Sequence, residues 1–108
     1  MEVHRELGHS FSEIVYKDVM MLDAKWQNIP AEREKKFSIQ YKGDVLPHSF
    51  FADFVVFDSI IVEVKAINSG IDNDCIARTL NYLKVSGCRV GLIINFGRAS
   101  LEYKRLIF

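Results

Sequence analysis

The segment that most constrains the fold is residues 89–96, RVGLIINF, which is apolar at almost every position. A strand that is apolar on both faces belongs in the middle of a sheet that is covered on two sides. Residues 72–86, just before it, carry Ile76, Leu80 and Leu83 at helical spacing. The sequence therefore predicts a central strand preceded by a long helix that packs on the same sheet.

Another apolar strand, Ile60–Lys65 or IIVEVK, precedes that helix. A helical crossover between two strands of one sheet makes them parallel. Residues 37–41 and 45–57 are predicted to be two further strands, and the short turns at 42–44 and 58–59 imply an antiparallel meander. The predicted fold class is therefore α/β, a mixed sheet of a three-stranded antiparallel meander plus a parallel crossover, flanked by helices.

Helical segments are also expected before the first strand. Residues 2–7 form a short one that stops at Gly8, and Ser10 with Glu13 has the form of a capping box that opens a longer one. The longer helix has a narrow apolar stripe that we expect to face the core, made of Val15, Val19, Leu22 and Trp26.

The bulk properties narrow the class of protein. At 108 residues the chain is expected to be a single domain, 1–108, and its 14 Lys and Arg balance 14 Asp and Glu, which argues against a large DNA-coating surface but not against a local basic patch. Cys75 and Cys88 suggest neither a metal site nor a disulfide framework, so a cytoplasmic location is expected. No membrane span or signal peptide is predicted. Residues 100–108 are predicted to form an apolar edge strand, which invites pairing into a homodimer.

Three charged residues lie within the predicted strands. Glu63 and Lys65 are two positions apart in IIVEVK, so they point to the same face, and Asp53 lies in the preceding strand, FFADFVVF. One interpretation is structural: Glu63 and Lys65 form an ion pair on a half-exposed strand, and Asp53 lies at a strand end. The other is a metal site, because two neighbouring carboxylates repel each other unless a cation lies between them.

The chemistry of the second interpretation is specific. Carboxylate oxygens favour hard cations, so the predicted cofactor is Mg²⁺ or Mn²⁺, which retains water molecules that can become nucleophiles. Lys65, on the same face, could orient that water or stabilise charge on a phosphoryl oxygen. Asp53, Glu63 and Lys65 are therefore the candidate catalytic residues, and the two carboxylates are the candidate metal ligands.

The turn between the two strands tests the metal-site interpretation. A plain two-residue loop at 58–59 would place Asp53 opposite Val64, on the face that points away from Glu63. The interpretation therefore predicts an odd-length loop, a bulge, or a strand that splays at Asp53.

The pattern of Asp53 followed by Glu63-Val64-Lys65 resembles the signature of the PD-(D/E)XK nuclease-like superfamily. The whole chain resembles the small bacterial and archaeal GxxExxR proteins, through EVHRELGHSFSEIVY, REKKFSIQYKG, FFADFVVFDSIIVEVKAI, TLNYLKVSGCRVGLIINFG and LEYKRLIF. This resemblance implies a restriction-endonuclease-like core, a nucleic-acid partner, and metal-dependent hydrolysis of phosphodiesters in DNA or RNA.

The resemblance also implies roles for individual residues. The side chains of Asp53 and Glu63 and the backbone carbonyl of Val64 would bind the metal, and Lys65 would be the catalytic lysine. Glu13 matches the glutamate of the G-x-x-E segment, although one or two extra residues precede it, and would approach the metal from the first long helix. The alternative for Glu13 is the capping box.

One position departs from the pattern of the relatives. Arg78 stands where they often have a glutamine, four residues before Tyr82 on the helix beside the site. Residues four apart share a helix face, so both are candidate substrate-binding residues, and an arginine could hold a phosphate with two hydrogen bonds. Arg78 could instead pair with Glu63 or Asp53 and replace the charge of the metal. The alternative function is therefore a catalytically inactive binding or structural module with the nuclease fold.

Overall fold

In the computed structural model, which describes residues 2–108, two helices lead into a meander of three strands, followed by a third helix and two last strands. The sheet order is β1-β2-β3-β4-β5; β3 and β4 are parallel, and the other neighbours are antiparallel. This arrangement confirms the predicted α/β class. Within the described range, no helix is long and apolar enough to cross a membrane. The element bounds are α1 Glu2–Leu7, α2 Glu13–Trp26, β1 Ala31–Tyr41, β2 Asp44–Val56, β3 Ile60–Lys65, α3 Asn73–Ser86, β4 Val90–Asn95 and β5 Glu102–Ile107.

The helix α3 makes the parallel crossover, and its flanking residues fix both of its ends. The side chain of Asp72 accepts a hydrogen bond from the backbone N–H of Cys75 at 2.8 Å, which satisfies a free donor of the first turn. Gly87 adopts a left-handed backbone with φ 78° and donates its N–H to the carbonyl of Leu83. The chain can then turn back sharply enough to enter β4.

Two clusters of buried side chains pack on opposite faces of the sheet, since alternate residues of β3 and β4 fall into different clusters. This arrangement explains why both strands are apolar throughout. The α3-side cluster comprises Phe50, Ala52, Val55, Ile61, Cys75, Leu83, Cys88, Ile93 and Leu106. The α2-side cluster comprises Val3, Tyr16, Phe54, Val62, Val64, Ile94 and Phe96.

The start of α2 differs from the predicted capping box. The helix begins at Glu13, and its N-cap is Ser12 rather than Ser10, with no capping hydrogen bond from the side chain. The hydroxyl of Tyr16 organises the incoming turn instead, because it donates to the carbonyl of Gly8 at 2.7 Å and accepts a backbone N–H of the same turn. The capping-box prediction is therefore wrong.

The apolar stripe predicted for α2 is also partly wrong. Leu22 is 55% exposed and Trp26 is 83% exposed, so the second half of the stripe faces away from the sheet. The packed face begins instead at Tyr16, whose ring stacks on Phe96 with 4.4 Å between centroids, and continues four residues later at Met20. Burial of the tyrosine ring thus sets the rotation of the helix.

Candidate metal and phosphodiester site

The turn between β2 and β3 is the three-residue loop 57–59, which is the odd-length loop that the metal-site interpretation requires. The antiparallel ladder between β2 and β3 begins with Val56 opposite Ile60 and ends after three pairs. Continuing the same register places Asp53 opposite Glu63. Two non-glycine residues of the loop have left-handed backbones, with φ 53° and 57°. The loop therefore brings the two carboxylates to the same place on the sheet.

The strand β2 turns over at Asp53. Ala52 packs in the α3-side cluster and Phe54 in the α2-side cluster, whereas residues two apart in a regular strand share a face. Across from it in β1, Glu34 has a left-handed backbone with φ 53°, and the β1–β2 ladder lacks a Glu34–Asp53 pair. The sheet is thus irregular on both strands at the level of the site, which is a frequent property of functional sites.

Both oxygens of the Asp53 carboxylate are engaged. Oδ2 accepts the backbone N–H of Val64 at 2.8 Å, and Oδ1 lies 3.1 Å from the ammonium of Lys17. The carbonyl of Lys65 accepts from Phe96 N on the β4 side, so the backbone groups of the preceding residue, Val64, point towards β2. The Val64 carbonyl therefore faces the gap in which Asp53 lies.

Glu63 is buried, with 5% of its surface exposed, and within residues 2–108 its Oε1 atom has no hydrogen-bond partner. Burial and, after it, the neighbouring Asp53 carboxylate raise the pKa of its carboxyl group to about 8, and the positive charge of Lys65 opposes the shift. In the same range Glu63 forms no ion pair with Lys65. The surface ion-pair interpretation is therefore wrong for this pair, because the glutamate is buried and unpaired.

A small cavity of about 30 Å³ opens between β3 and α3, and it is lined by Glu63, Lys65, Cys75, Arg78, Thr79 and Tyr82. Arg78 is exposed, and among the described residues it pairs with neither Asp53 nor Glu63. The Tyr82 ring stacks on Phe50 at 4.1 Å, and burial and the Glu63 carboxylate raise the pKa of its hydroxyl. The inactive, arginine-paired arrangement is therefore not the one that this chain forms.

The end of β3 beyond Lys65 is held by the side chain of Asn95. Its amide accepts the N–H of Ile67 at 2.8 Å and donates to the carbonyl of the same residue at 2.9 Å, as a neighbouring strand would. Gly97 lies against this segment so closely that a Cβ there would be 2.4 Å from Ile67 N. These contacts fix the direction in which the backbone of Lys65 leaves the site.

The cation beside Asp53, Lys17, was missed by the sequence interpretation. Its ammonium lies 3.0 Å from Oε1 of Glu34 as well as 3.1 Å from Asp53. Burial lowers the pKa of Lys17, but hydrogen bonds to both carboxylates outweigh this effect and raise it. The sequence feature that could have indicated Lys17 is its spacing from Glu13, because residues four apart lie on the same helix face.

Glu13, at the first position of α2, is thus one turn away from the residue that contacts Asp53. Within residues 2–108 it makes no ion pair and no side-chain hydrogen bond of its own. The structure therefore does not bring Glu13 together with Asp53 and Glu63, although it places its helix face towards them.

The donor set fits a hard divalent cation that keeps several waters. Within the described residues no three His, Cys, Asp or Glu side chains come together, so two carboxylates and the Val64 carbonyl are the available protein donors. Mg²⁺ is commonly held by one or two carboxylates and water. Oε1 of Glu63, which has no hydrogen-bond partner in the described part of the chain, supplies a free acceptor.

The sequence profile of the PD-(D/E)XK nuclease superfamily matches residues 1–106. The chain belongs to this superfamily. The crystal structure of SSO0001 has a similar fold, with a TM-score of 0.64 and 19% identity, over 87% of this chain and 48% of that chain. This PD-(D/E)XK chain therefore spans about half the length of SSO0001, and at such identity the likeness shows the fold alone. No curated protein sequence matches the chain.

Proposed function

We propose that this chain is a metal-dependent nuclease that hydrolyses phosphodiester bonds in DNA or RNA. One observation carries the proposal: Asp53, Glu63 and Lys65 come together at the point where β2 leaves β3. Glu63 is buried there, and its Oε1 has no hydrogen-bond partner among the described residues. Membership of the PD-(D/E)XK nuclease superfamily supports the reaction class. In the GxxExxR proteins, which the sequence resembles more narrowly, we expect the same arrangement.

Asp53, Glu63 and the Val64 carbonyl would hold Mg²⁺ or Mn²⁺. When bound, such a cation supplies a Lewis acid and lowers the pKa of a water molecule. The hydrogen bond from the N–H of Val64 fixes the Asp53 carboxylate beside β3, which supports this assignment. Glu13 is retained as a candidate outer ligand, because it shares a helix face with Lys17.

Lys65 would act on the substrate rather than on the carboxylates. Lys65 lines the same cavity as Glu63 and forms no ion pair among residues 2–108, which leaves its ammonium available to a phosphoryl oxygen. A fixed positive charge in a partly buried position stabilises negative charge that develops during phosphodiester cleavage.

The substrate-binding surface would combine α3 with the long hairpin of β1 and β2. Arg78 is exposed at the mouth of the cavity, and Tyr82 lies one turn further along the same helix. Beyond Asp53 the hairpin continues without β3, and it carries Lys36, Lys42 and the 62% exposed ring of Tyr41. Lysines that contact phosphates and aromatic rings that stack on bases are the groups that bind single strands.

A cleavage assay tests the proposal. The chain is incubated with Mn²⁺ or Mg²⁺ and end-labelled single- and double-stranded DNA and RNA, alongside Asp53→Ala, Lys65→Ala and the control Lys84→Ala on the exposed side of α3. We expect cleavage by the wild-type and control proteins, and a loss of at least about 100-fold in the two site variants. Equal cleavage by all four proteins would refute the assignment of the site.

We further propose that the chain self-associates through β5. This strand lies at the edge of the sheet, and Tyr103, Ile107 and Phe108 on or after it are 69%, 65% and 57% exposed. An exposed apolar edge favours pairing with a second copy. Sedimentation of the wild type against Ile107→Lys measures the effect, with a dimer expected for the wild type alone.

A cytoplasmic location fits the two free, buried cysteines.

A further inference from the structure

The ammonium of Lys17 lies between two carboxylates from different strands. It is 3.1 Å from Oδ1 of Asp53 and 3.0 Å from Oε1 of Glu34. The side chains of Lys17 and Asp53 are 16% and 14% exposed, whereas that of Glu34 is 47% exposed. One contact of the lysine is therefore inside the protein and the other is near its surface.

The inner contact competes with a divalent cation. Oδ2 of Asp53 accepts the N–H of Val64 and Oδ1 lies against the ammonium of Lys17, so a cation shared with Glu63 would be a second positive charge on this carboxylate. Two positive charges on one carboxylate repel strongly in a poorly solvated position. Lys17 must therefore move away from Asp53 before Asp53 and Glu63 can hold a cation together.

The outer contact, with Glu34, can hold the ammonium of Lys17 after it has left Asp53. Glu34 is already within hydrogen-bonding distance of the ammonium, so the lysine can keep this ion pair when it leaves Asp53. The backbone of Glu34, the fourth residue of β1, is left-handed, with φ 53°. Non-glycine residues seldom adopt this conformation, and such outliers concentrate at functional sites.

We propose that Lys17 is a displaceable counter-ion of the metal site, which neutralises Asp53 in the cation-free protein and passes to Glu34 alone when a divalent cation binds. Lys17 and Glu34 are positioning residues here, because neither contacts the cation. The inference rests on the proposed function, since it assumes that Asp53 and Glu63 bind the cation.

Calorimetric titration of the full chain with Mn²⁺ tests this mechanism. The variants are Lys17→Met, Glu34→Gln and the double variant. Matched controls are Lys25→Met on the same helix and Glu32→Gln on the same strand, where Glu32 pairs with Lys35. Lys17→Met should bind Mn²⁺ about tenfold more tightly, because the competing charge is gone, and Glu34→Gln several-fold more weakly, because the lysine is then confined to Asp53. The controls should stay within about twofold.

The double variant decides whether the two effects share one cause. If Glu34 acts through Lys17, Glu34→Gln changes the Mn²⁺ affinity by less than about twofold in the Lys17→Met background. An equal loss of affinity in both backgrounds would make Glu34 a metal ligand and overturn the proposal. Weaker binding by Lys17→Met would also overturn it, because the lysine would then be holding Asp53 in its binding position.

One further measurement separates a change at the site from a loss of folding. Unfolding in EDTA shows that each variant is folded; if Lys17→Met is not, Lys17→Gln replaces it, and the exposed position of Glu34 still allows its own test. Mn²⁺ that binds neither the wild type nor Lys17→Met would refute the metal site and this mechanism together. Mn²⁺ binding that is indifferent to Glu34→Gln would refute this mechanism and leave the proposed nuclease site intact.

Discussion

The carboxylate of Asp53 accepts the backbone N–H of Val64, with 2.8 Å between Oδ2 and the nitrogen. A side chain of β2 thus takes the place that a backbone carbonyl of β2 would have taken if the ladder had continued. The contact lies within the sheet itself, so Asp53 is held beside Glu63 before any cation arrives. The carboxylate pair is therefore preformed, and Glu63 bears the electrostatic cost.

Because the carboxyl group of Glu63 is buried, we expect the free energy of unfolding to depend on pH. The substitution Glu63→Gln should remove this dependence. The folded pKa of about 8 exceeds the ordinary value of 4.5, so at intermediate pH the folded chain keeps a proton that the unfolded chain releases. The stabilisation is complete below the unfolded pKa and is lost as the pH rises through the folded one, with a slope of up to about 1.4 kcal/mol per pH unit. Urea unfolding in EDTA between about pH 5 and about pH 8 measures it.

The control for this series is Glu32→Gln, a substitution on the exposed part of β1. It should follow the wild-type curve, whereas Glu63→Gln should be flatter. Wild-type and Glu63→Gln curves with the same slope would contradict a buried, protonated Glu63.

The length of the loop 57–59 should control metal binding. Deleting Asp58 leaves a two-residue connection, which shifts the pairing of β2 by one residue and turns Asp53 away from Glu63. We expect Mn²⁺ binding to be lost in calorimetry while the circular dichroism spectrum still shows helix and sheet. Asp58→Gly keeps the loop length and suits the left-handed backbone at this position, so it should bind Mn²⁺ normally. Binding by the deletion variant would show that register does not build the site.

Gly97→Ala should be strongly destabilising. The added Cβ would lie 2.4 Å from Ile67 N and 2.6 Å from the carbonyl carbon of Ala66, and both of these are backbone atoms that cannot move aside cheaply. We expect a loss of at least about 3 kcal/mol in the free energy of unfolding, measured in urea. Ser100→Ala, in the exposed segment that follows, should change stability by less than about 0.5 kcal/mol. Similar stability of both variants would mean that this close approach is not maintained in solution.

Tyr16→Phe should weaken the start of α2 without disturbing the ring stack on Phe96. The hydroxyl donates to the carbonyl of Gly8 at 2.7 Å, and its loss should cost about 1–2 kcal/mol of unfolding free energy. Tyr103→Phe, whose ring is 69% exposed, is the matched control and should have little effect. Hydrogen exchange of the amides of α2 would localise the change, and uniform protection in both proteins would argue against this role for the hydroxyl.

The sheet was predictable because its strands are long and separated by clear turns. The all-apolar β4 after a helix with a glycine stop leaves few arrangements other than a parallel crossover, and the charged residues in IIVEVK indicated the candidate site. The start of α2 was less predictable, because Ser10 with Glu13 satisfies the capping-box pattern and the hydroxyl that replaces it comes from Tyr16. Local patterns cannot show which of two polar side chains the folded chain will use to organise the turn.

Lys17 and Glu34 were missed for a different reason. Each is an ordinary surface-type residue in its own segment, and Lys17 of α2 bridges Glu34 of β1 and Asp53 of β2 at the level where both strands are irregular. A glycine or an asparagine often indicates a left-handed backbone in a sequence, but here the residue is a glutamate. Contacts that depend on paired irregularities of two strands are invisible to periodicity.

The crossing of β2 from one hydrophobic cluster to the other has a consequence for how activity relates to folding. Asp53 lies at the seam between the two cores, so its position depends on the packing of α2 on one side and of α3 on the other. We expect a partly folded chain that has assembled a single layer to leave the carboxylates apart. Any hydrolytic activity would thus be confined to the fully native protein, and nascent or damaged chains would have none.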